Sequence, residues 1–190
     1  MMKKLLLALA LAVPATTFAS DIAAGAIEVK GGSKLSFGST TAKPDGGDKS
    51  TDTTIALDAG AAYYLTPSFG VGLELSYEHT TTKETGLPSE TFSAISIGPK
   101  AVYEIGLAPQ TSAFVEGMVG ISKADIAGFE VDGWGFGLGA GVKYFFSRSV
   151  SGNVGLNYSL NKFDSNGLKT DVSNLALGFG LSAYFGNAAH

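Results

Sequence analysis

The chain has 190 residues, a formal charge of −4, no cysteine and one arginine, Arg148. A basic surface for nucleic acid, a disulfide framework, thiolate metal sites and Cys nucleophiles are therefore excluded. The 26 glycines follow no three-residue period, which excludes collagen and points to a tightly curved sheet.

The chain opens with a secretory signal. Lys3 and Lys4 precede an apolar run from Leu5 to Val13, and Thr17-Phe18-Ala19 is a small-x-small cleavage site, so residues 1–19 are read as the removed signal. Loss of the two lysines moves the formal charge to about −6. Residues 20–190 are left as one domain.

Alternation then marks the elements. The first strand sets Ile27, Val29, Leu35 and Phe37 against Glu28, Lys30, Lys34 and Ser36, interrupted by Gly31-Gly32-Ser33. A polar loop from Ser39 to Asp52 leads to a strand from about Thr53 to Leu65, where Ile55, Leu57, Tyr63 and Leu65 oppose Thr54, Asp58, Gly60 and Tyr64. Thr66-Pro67-Ser68 turns into a third strand, Phe69 to Tyr77, with Glu74 on its polar face. A loop from His79 to Glu90 precedes a fourth strand, about Phe92 to Ile105, with Lys100 and Glu104 on the polar face and Pro99 requiring a bulge or bend.

The fifth strand, Ala113 to Ile121, is phased by Glu116: turning Val115, Val119 and Ile121 to lipid places Glu116 inside with Phe114 and Met118, and the opposite phase would put a carboxylate in hydrocarbon. After a loop from Lys123 to Asp132, Gly133 to Phe145 alternates throughout. Trp134, Phe136, Leu138, Ala140, Val142 and Tyr144 form one face, and five glycines lead to Lys143 on the other. The ten steps from Trp134 to Tyr144 project to about 25 Å at a barrel tilt, the height of an outer-membrane apolar band. The seventh strand sets Val154, Leu156, Tyr158 and Leu160 against Asn153, Asn157 and Asn161. A loop from Asn161 to Thr170 leads to the last strand, about residues 172–185, followed by a tail, 186–190.

Eight strands with alternately long and short connections predict an all-β, antiparallel, up-and-down barrel. A soluble lipocalin-like carrier would turn the polar face to water. Two aromatic girdles argue instead for a transmembrane barrel: Tyr63, Phe69, Tyr103, Tyr144 and Phe185 near the short turns, and Phe37, Tyr77, Trp134 and Tyr158 near the long loops. The polar face then looks inward. Asp58, Glu74, Glu116, Lys34, Lys100 and Lys143 form a lumen charge network, with Lys100 between Glu74 and Glu116 as a candidate constriction and Asp58 facing Lys30 or Lys34. An interior of this strand number is filled by side chains, so a wide pore is not expected.

The segments Tyr63 to His79 and Gly135 to Ser159 resemble hairpins of the small eight-stranded outer-membrane barrels, the superfamily of the OmpA transmembrane domain, the OmpX/Ail surface proteins and the opacity-type proteins. The closing LGFGLSAYF is similar to the assembly signal of such proteins, although Gly186 to His190 follow its final aromatic. The resemblance implies a monomer of the Gram-negative outer membrane, in contact with outer-membrane lipid and lipopolysaccharide, inserted by the barrel assembly machinery and without a cofactor. It implies a structural role with narrow pore activity, or adhesion through the surface loops.

An enzyme is not expected. His79 is the one candidate base, with Ser76 and Ser122 as conceivable nucleophiles for lipid modification, and a loop histidine is ordinarily just solvated. Asp45, Asp48 and Asp52 do not follow the calcium-loop spacing, so no metal is expected.

Overall fold

The computed structural model describes residues 22–38, 50–84, 90–126, 129–165 and 168–186. The signal segment, the tail beyond residue 186, and Asp45 and Asp48 lie outside the described residues. The strands are β1 (Ile27–Gly38), β2 (Ser50–Thr66), β3 (Phe69–Glu84), β4 (Glu90–Ala108), β5 (Thr111–Ile126), β6 (Phe129–Ser147), β7 (Val150–Ser165) and β8 (Leu168–Phe185). Each pairs antiparallel with its sequence neighbours, and β1 pairs with β8, closing an up-and-down barrel.

Alternation sets the wall. Leu73, Leu138 and Leu177 are 60%, 54% and 44% exposed on the outer surface, whereas Glu74, Lys100 and Lys143 keep 7%, 5% and 1% of theirs. Gly31 to Ser33 do not interrupt β1; they pair in register with β2 and β8. Nor does Pro99 make a bulge: it stands opposite Leu73 on β3, and the β4–β5 register is the same on either side of it. Its neighbour Gly98 allows this, because a Cβ there would collide with the Val119 carbonyl of β5.

The short-turn end is built by repetition. Register shifts at Leu65, Leu107 and Phe146 precede the turns at Pro67-Ser68, Pro109-Gln110 and Arg148-Ser149, and the three skipped residues are exposed on the outer wall. Each turn is tied to the next hairpin: Glu104 N donates to Ser68 O, Phe145 N to Gln110 O and Tyr184 N to Ser149 O, all at 2.8 Å. These links hold Glu104, Phe145 and Tyr184 at one level, and Tyr64, tied to Ala26 O, joins them.

At the other end the strands run further than alternation predicts. β3 continues to Glu84, β5 pairs to Ile126 opposite Phe129, and β7 pairs to Ser165 opposite Leu168. The expected loops His79 to Glu90, Lys123 to Asp132 and Asn161 to Thr170 are thus largely paired strand. The pattern changes phase there instead of ending. On β4, β5, β6 and β7 the outer face passes from Ile95, Ile121, Trp134 and Leu160 to Ser93, Lys123, Asp132 and Lys162. The inner face passes from Ser96, Ser122, Gly133 and Asn161 to Ala94, Ala124, Val131 and Phe163, and these four form an apolar cluster flanked by Phe92 and Val172. Below this ring the outer face is apolar and the inner face polar at mid-depth, with a second buried apolar cluster at the short-turn end that includes Ala62, Val102, Phe114 and Phe145; above it the arrangement is that of a barrel in water.

Candidate functional site in the barrel lumen

The inward charges fall into two layers. The central layer is a continuous zigzag of six groups. Lys30 Nζ lies 2.6 Å from Glu116 Oε1, and Lys100 Nζ lies 2.8 Å from both Glu116 Oε2 and Glu74 Oε2. Lys34 Nζ then stands 3.9 Å from Glu74 Oε1 and 2.9 Å from Asp58 Oδ1. Three ammonium groups meet three carboxylates, so the layer is neutral as drawn, and each central group has two opposite charges beside it. The inward glycines give these chains room: a Cβ at Gly139 would stand 3.0 Å from Glu116 Cγ and 2.7 Å from Asn157 Oδ1.

Lys143 stands apart from this chain, in a layer nearer the short turns. Its Nζ donates to Glu104 Oε1 at 2.5 Å, Glu28 Oε1 at 2.7 Å and the Tyr184 hydroxyl at 3.0 Å. The Tyr64 hydroxyl lies against Glu104 Oε1 and 3.0 Å from Glu28 Oε2, and Ser112 Oγ donates to Glu104 Oε2 at 3.1 Å. Tyr64 and Glu104 have no exposed surface and Glu28 and Lys143 keep 1% each, so this layer is a closed, buried plug. Phe114 divides the layers, its ring centroid 5.5 Å from Lys30 Nζ and 5.6 Å from Lys143 Nζ. Against the central layer, a cavity of about 60 Å³ is lined by Lys34, Glu74, Lys100 and Glu116 together with Ser76, Ser96, Asn157 and Asn161. It has room for a few waters.

Alternation alone put Glu28, Lys30 and Glu104 on the inner face, yet gave no sign that Glu28 and Glu104 close on Lys143. That grouping depends on barrel shear and on strands distant in sequence, and the two tyrosines that complete it read as aromatics before they read as polar groups. The interface aromatics lie on the outer wall. Phe185, Ile27 and Tyr63 follow one another across β8, β1 and β2, and Phe69 stands opposite Tyr103. Tyr144 packs on Phe146 with centroids 5.6 Å apart. At the other boundary Tyr77, Trp134 and Tyr158 are 44%, 50% and 40% exposed. The side chains of Phe37 and Asp52 lie outside the described residues. The sequence placed His79 near Ser76 or Ser122, and the structure corrects this. His79 Nδ1 is 2.9 Å from Ser93 Oγ on the outer wall, while Ser122 faces inward to Ser96 Oγ at 2.8 Å.

A closed barrel with an apolar belt, a charged and filled interior and two aromatic boundaries defines a small transmembrane barrel of the cell outer membrane. The chain belongs to the family described as "Outer membrane protein beta-barrel domain", whose family model matches residues 5–185. No curated protein matches it in sequence. Among solved structures it is similar to Neisserial surface protein A, with 20% identity, a TM-score of 0.53, and 85% of this chain and 99% of that one covered. It is similar also to OprG from Pseudomonas aeruginosa, with 16% identity, a TM-score of 0.54, and 86% and 97% covered. The outer-membrane enzyme PagL aligns more loosely, with 14% identity, a TM-score of 0.40, and 83% and 98% covered. These likenesses concern the fold alone.

Proposed function

We propose that the protein is a structural, monomeric and non-enzymatic barrel of the outer membrane, shut at rest, which conducts small ions only in brief openings. The observation that carries this reading is the pair of closures in series. Lys100 and Glu74 each have a second partner within 4 Å, so central pairs can be exchanged without leaving a bare charge. The inner plug must loosen as well before anything passes. Glu74, Lys100 and Glu116 act as the constriction of the central layer, and Tyr184 with Lys143 as that of the inner one. The closing strand, ending in Phe179, Leu181 and Phe185, is the segment offered to the assembly machinery.

Planar-bilayer recording tests this. The wild type is expected to give rare, small events, Lys100→Ala to change their ion selectivity, and Lys100→Ala with Tyr184→Ala to prolong them. A silent double variant that is folded and inserted would leave only the structural role, and a large steady wild-type conductance would overturn the closed state. A second reading, adhesion, is favoured by the strands that continue past the membrane boundary: the outer end is a strand-paired rim on which Thr91, Asp125 and Glu130 stand exposed on the outer wall. Cell-attachment assays with charge-reversed rim residues test it, and unchanged attachment removes it.

A further inference from the structure

The residues ahead of β1 are folded against the barrel. Ile22 to Ala26 turn back at the short-turn end, where Gly25 N donates to Tyr64 O at 2.8 Å, Tyr64 N to Ala26 O at 2.9 Å and Ala26 N to Ala23 O at 3.1 Å. Gly25 makes the reversal at φ 88°, a left-handed conformation that suits glycine. Ala24 and Gly25 are exposed, whereas Ala26 has no exposed surface and Ile22 keeps 2%. An isoleucine ahead of the first strand is therefore buried as deeply as the core.

The residues that cover Ile22 give its place. It shares one buried cluster with Tyr64, Val102, Phe114, Phe145 and Tyr184, inner-face residues of β2, β4, β5, β6 and β8. Side chains from strands all round a barrel meet only across its lumen, so Ile22 lies across the short-turn mouth and not on the wall. Tyr64 and Tyr184 also bond Glu28, Glu104 and Lys143, so this apolar seat and the charged plug share a wall. The pairing of β1 with β2 and β8 starts at Ile27, and no ladder pairing holds Ile22.

We propose, resting on the shut-at-rest reading above, that Ile22 is a stopper: the segment ahead of β1 shuts the periplasmic mouth of the lumen, and the inner closure opens when this segment leaves its seat. Phe145 and Tyr184 are fixed by the links from the turns, whereas Ile22 joins the ladder from one side only. With the expected signal cleavage after Ala19, Ile22 is third in the exported chain and swings out about Gly25 without unpairing a strand. Burial of its side chain keeps it in at rest.

A thiol probe tests the stopper. The chain has no cysteine, and Ser151, which has no exposed surface and stands opposite Phe145 with Oγ 3.5 Å from the Tyr184 hydroxyl, is replaced as Ser151→Cys. The folded probe protein is treated in micelles with a small, water-soluble thiosulfonate, and the rate of labelling is read. Labelling should be slow. Ile22→Asp should speed it about tenfold to a hundredfold, the scale of burying one isoleucine. Gly25→Ala strains the reversal, its new Cβ meeting nothing nearer than the Tyr63 hydroxyl at 3.8 Å, and should speed labelling less. Ala24→Asp, a charge on the exposed side of the same segment, should leave the rate unchanged. Heat-modifiable gel mobility selects folded molecules, and Gly25→Ala carries the test where Ile22→Asp does not fold. Rapid labelling of the probe protein itself would overturn the shut-at-rest reading and the stopper with it. Slow labelling that neither variant speeds would leave that reading standing and overturn the stopper, as would an equal effect of Ala24→Asp.

Discussion

Lys143 and Lys100 are both buried lysines between two carboxylates, yet their neighbours make them unequal. Removing Lys100 leaves Glu116 bonded to Lys30 and Glu74 within 3.9 Å of Lys34, so the central charges keep partners. Removing Lys143 leaves Glu28 and Glu104 facing each other across a buried site, with hydroxyl donors from Tyr64, Tyr184 and Ser112 but no cation bonded to either. A buried charge stripped of its partner costs about 3–5 kcal/mol. Lys143→Ala should therefore lower stability by about that amount and Lys100→Ala by clearly less. Urea unfolding in micelles, followed by Trp134 fluorescence, checks this, and equal loss in the two variants would mean that the layers share their charges. Glycines divide in the same manner. Gly98→Ala drives a Cβ into the Val119 carbonyl and should hinder conversion to the compact form, whereas Gly31→Ala, with nothing within 4 Å of the new atom, should be neutral in the same gel assay.

At the scale of the strand, the pairing order, the membrane phase and the inward acids were legible in the sequence because lipid imposes one rule on every strand. Leu73 against Glu74 is unambiguous in hydrocarbon, whereas on β5 the phase rests on Glu116 alone, since Phe114 and Met118 share its face. Legibility failed where the solvent changes. Thr80, Thr81 and Thr82 show no contrast between faces, and on β5 the order Ile121-Ser122 is followed by the opposite order Lys123-Ala124, which reads as loss of pattern although the ladder continues to Ile126. The phase inversion also fixes depth. Ile97, outward below the ring, lies in the apolar belt, and Ser93, outward above it, does not. Ile97→Arg should cost about 2–4 kcal/mol and Ser93→Arg about 0–1 kcal/mol, the difference between midplane and interface. Unfolding titrations in lipid vesicles measure both, and similar costs would put the boundary elsewhere.

For the molecule as a whole, the inversion means that two kinds of core are stacked along one barrel axis. The membrane part is held by its closed ladder and by a filling that joins the charged layers to an apolar cluster of Val102, Phe114 and Phe145 at the short-turn end, since burial in lipid gives its outer face no reason to turn inward. The outer end stands in water and needs a core of its own, which the cluster of Ala94, Ala124, Val131 and Phe163 supplies, with Phe92 against Phe163 at 5.8 Å between centroids. Truncating a buried phenylalanine costs about 3–5 kcal/mol, and here that cost falls on one end of the barrel. In Phe163→Ala the outer halves of β5, β6 and β7 should therefore open while the membrane part stays closed. Trypsin added to intact cells should then cut at Lys123 or Lys162, both at the boundary, and leave a protected membrane-embedded remainder with heat-modifiable mobility. The wild type should resist. If Phe163→Ala resists equally, the outer end is carried by the hydrogen-bonded ladder alone. If the whole barrel is digested, the two cores unfold as one unit, and the boundary ring marks a change of solvent without a change in cooperativity.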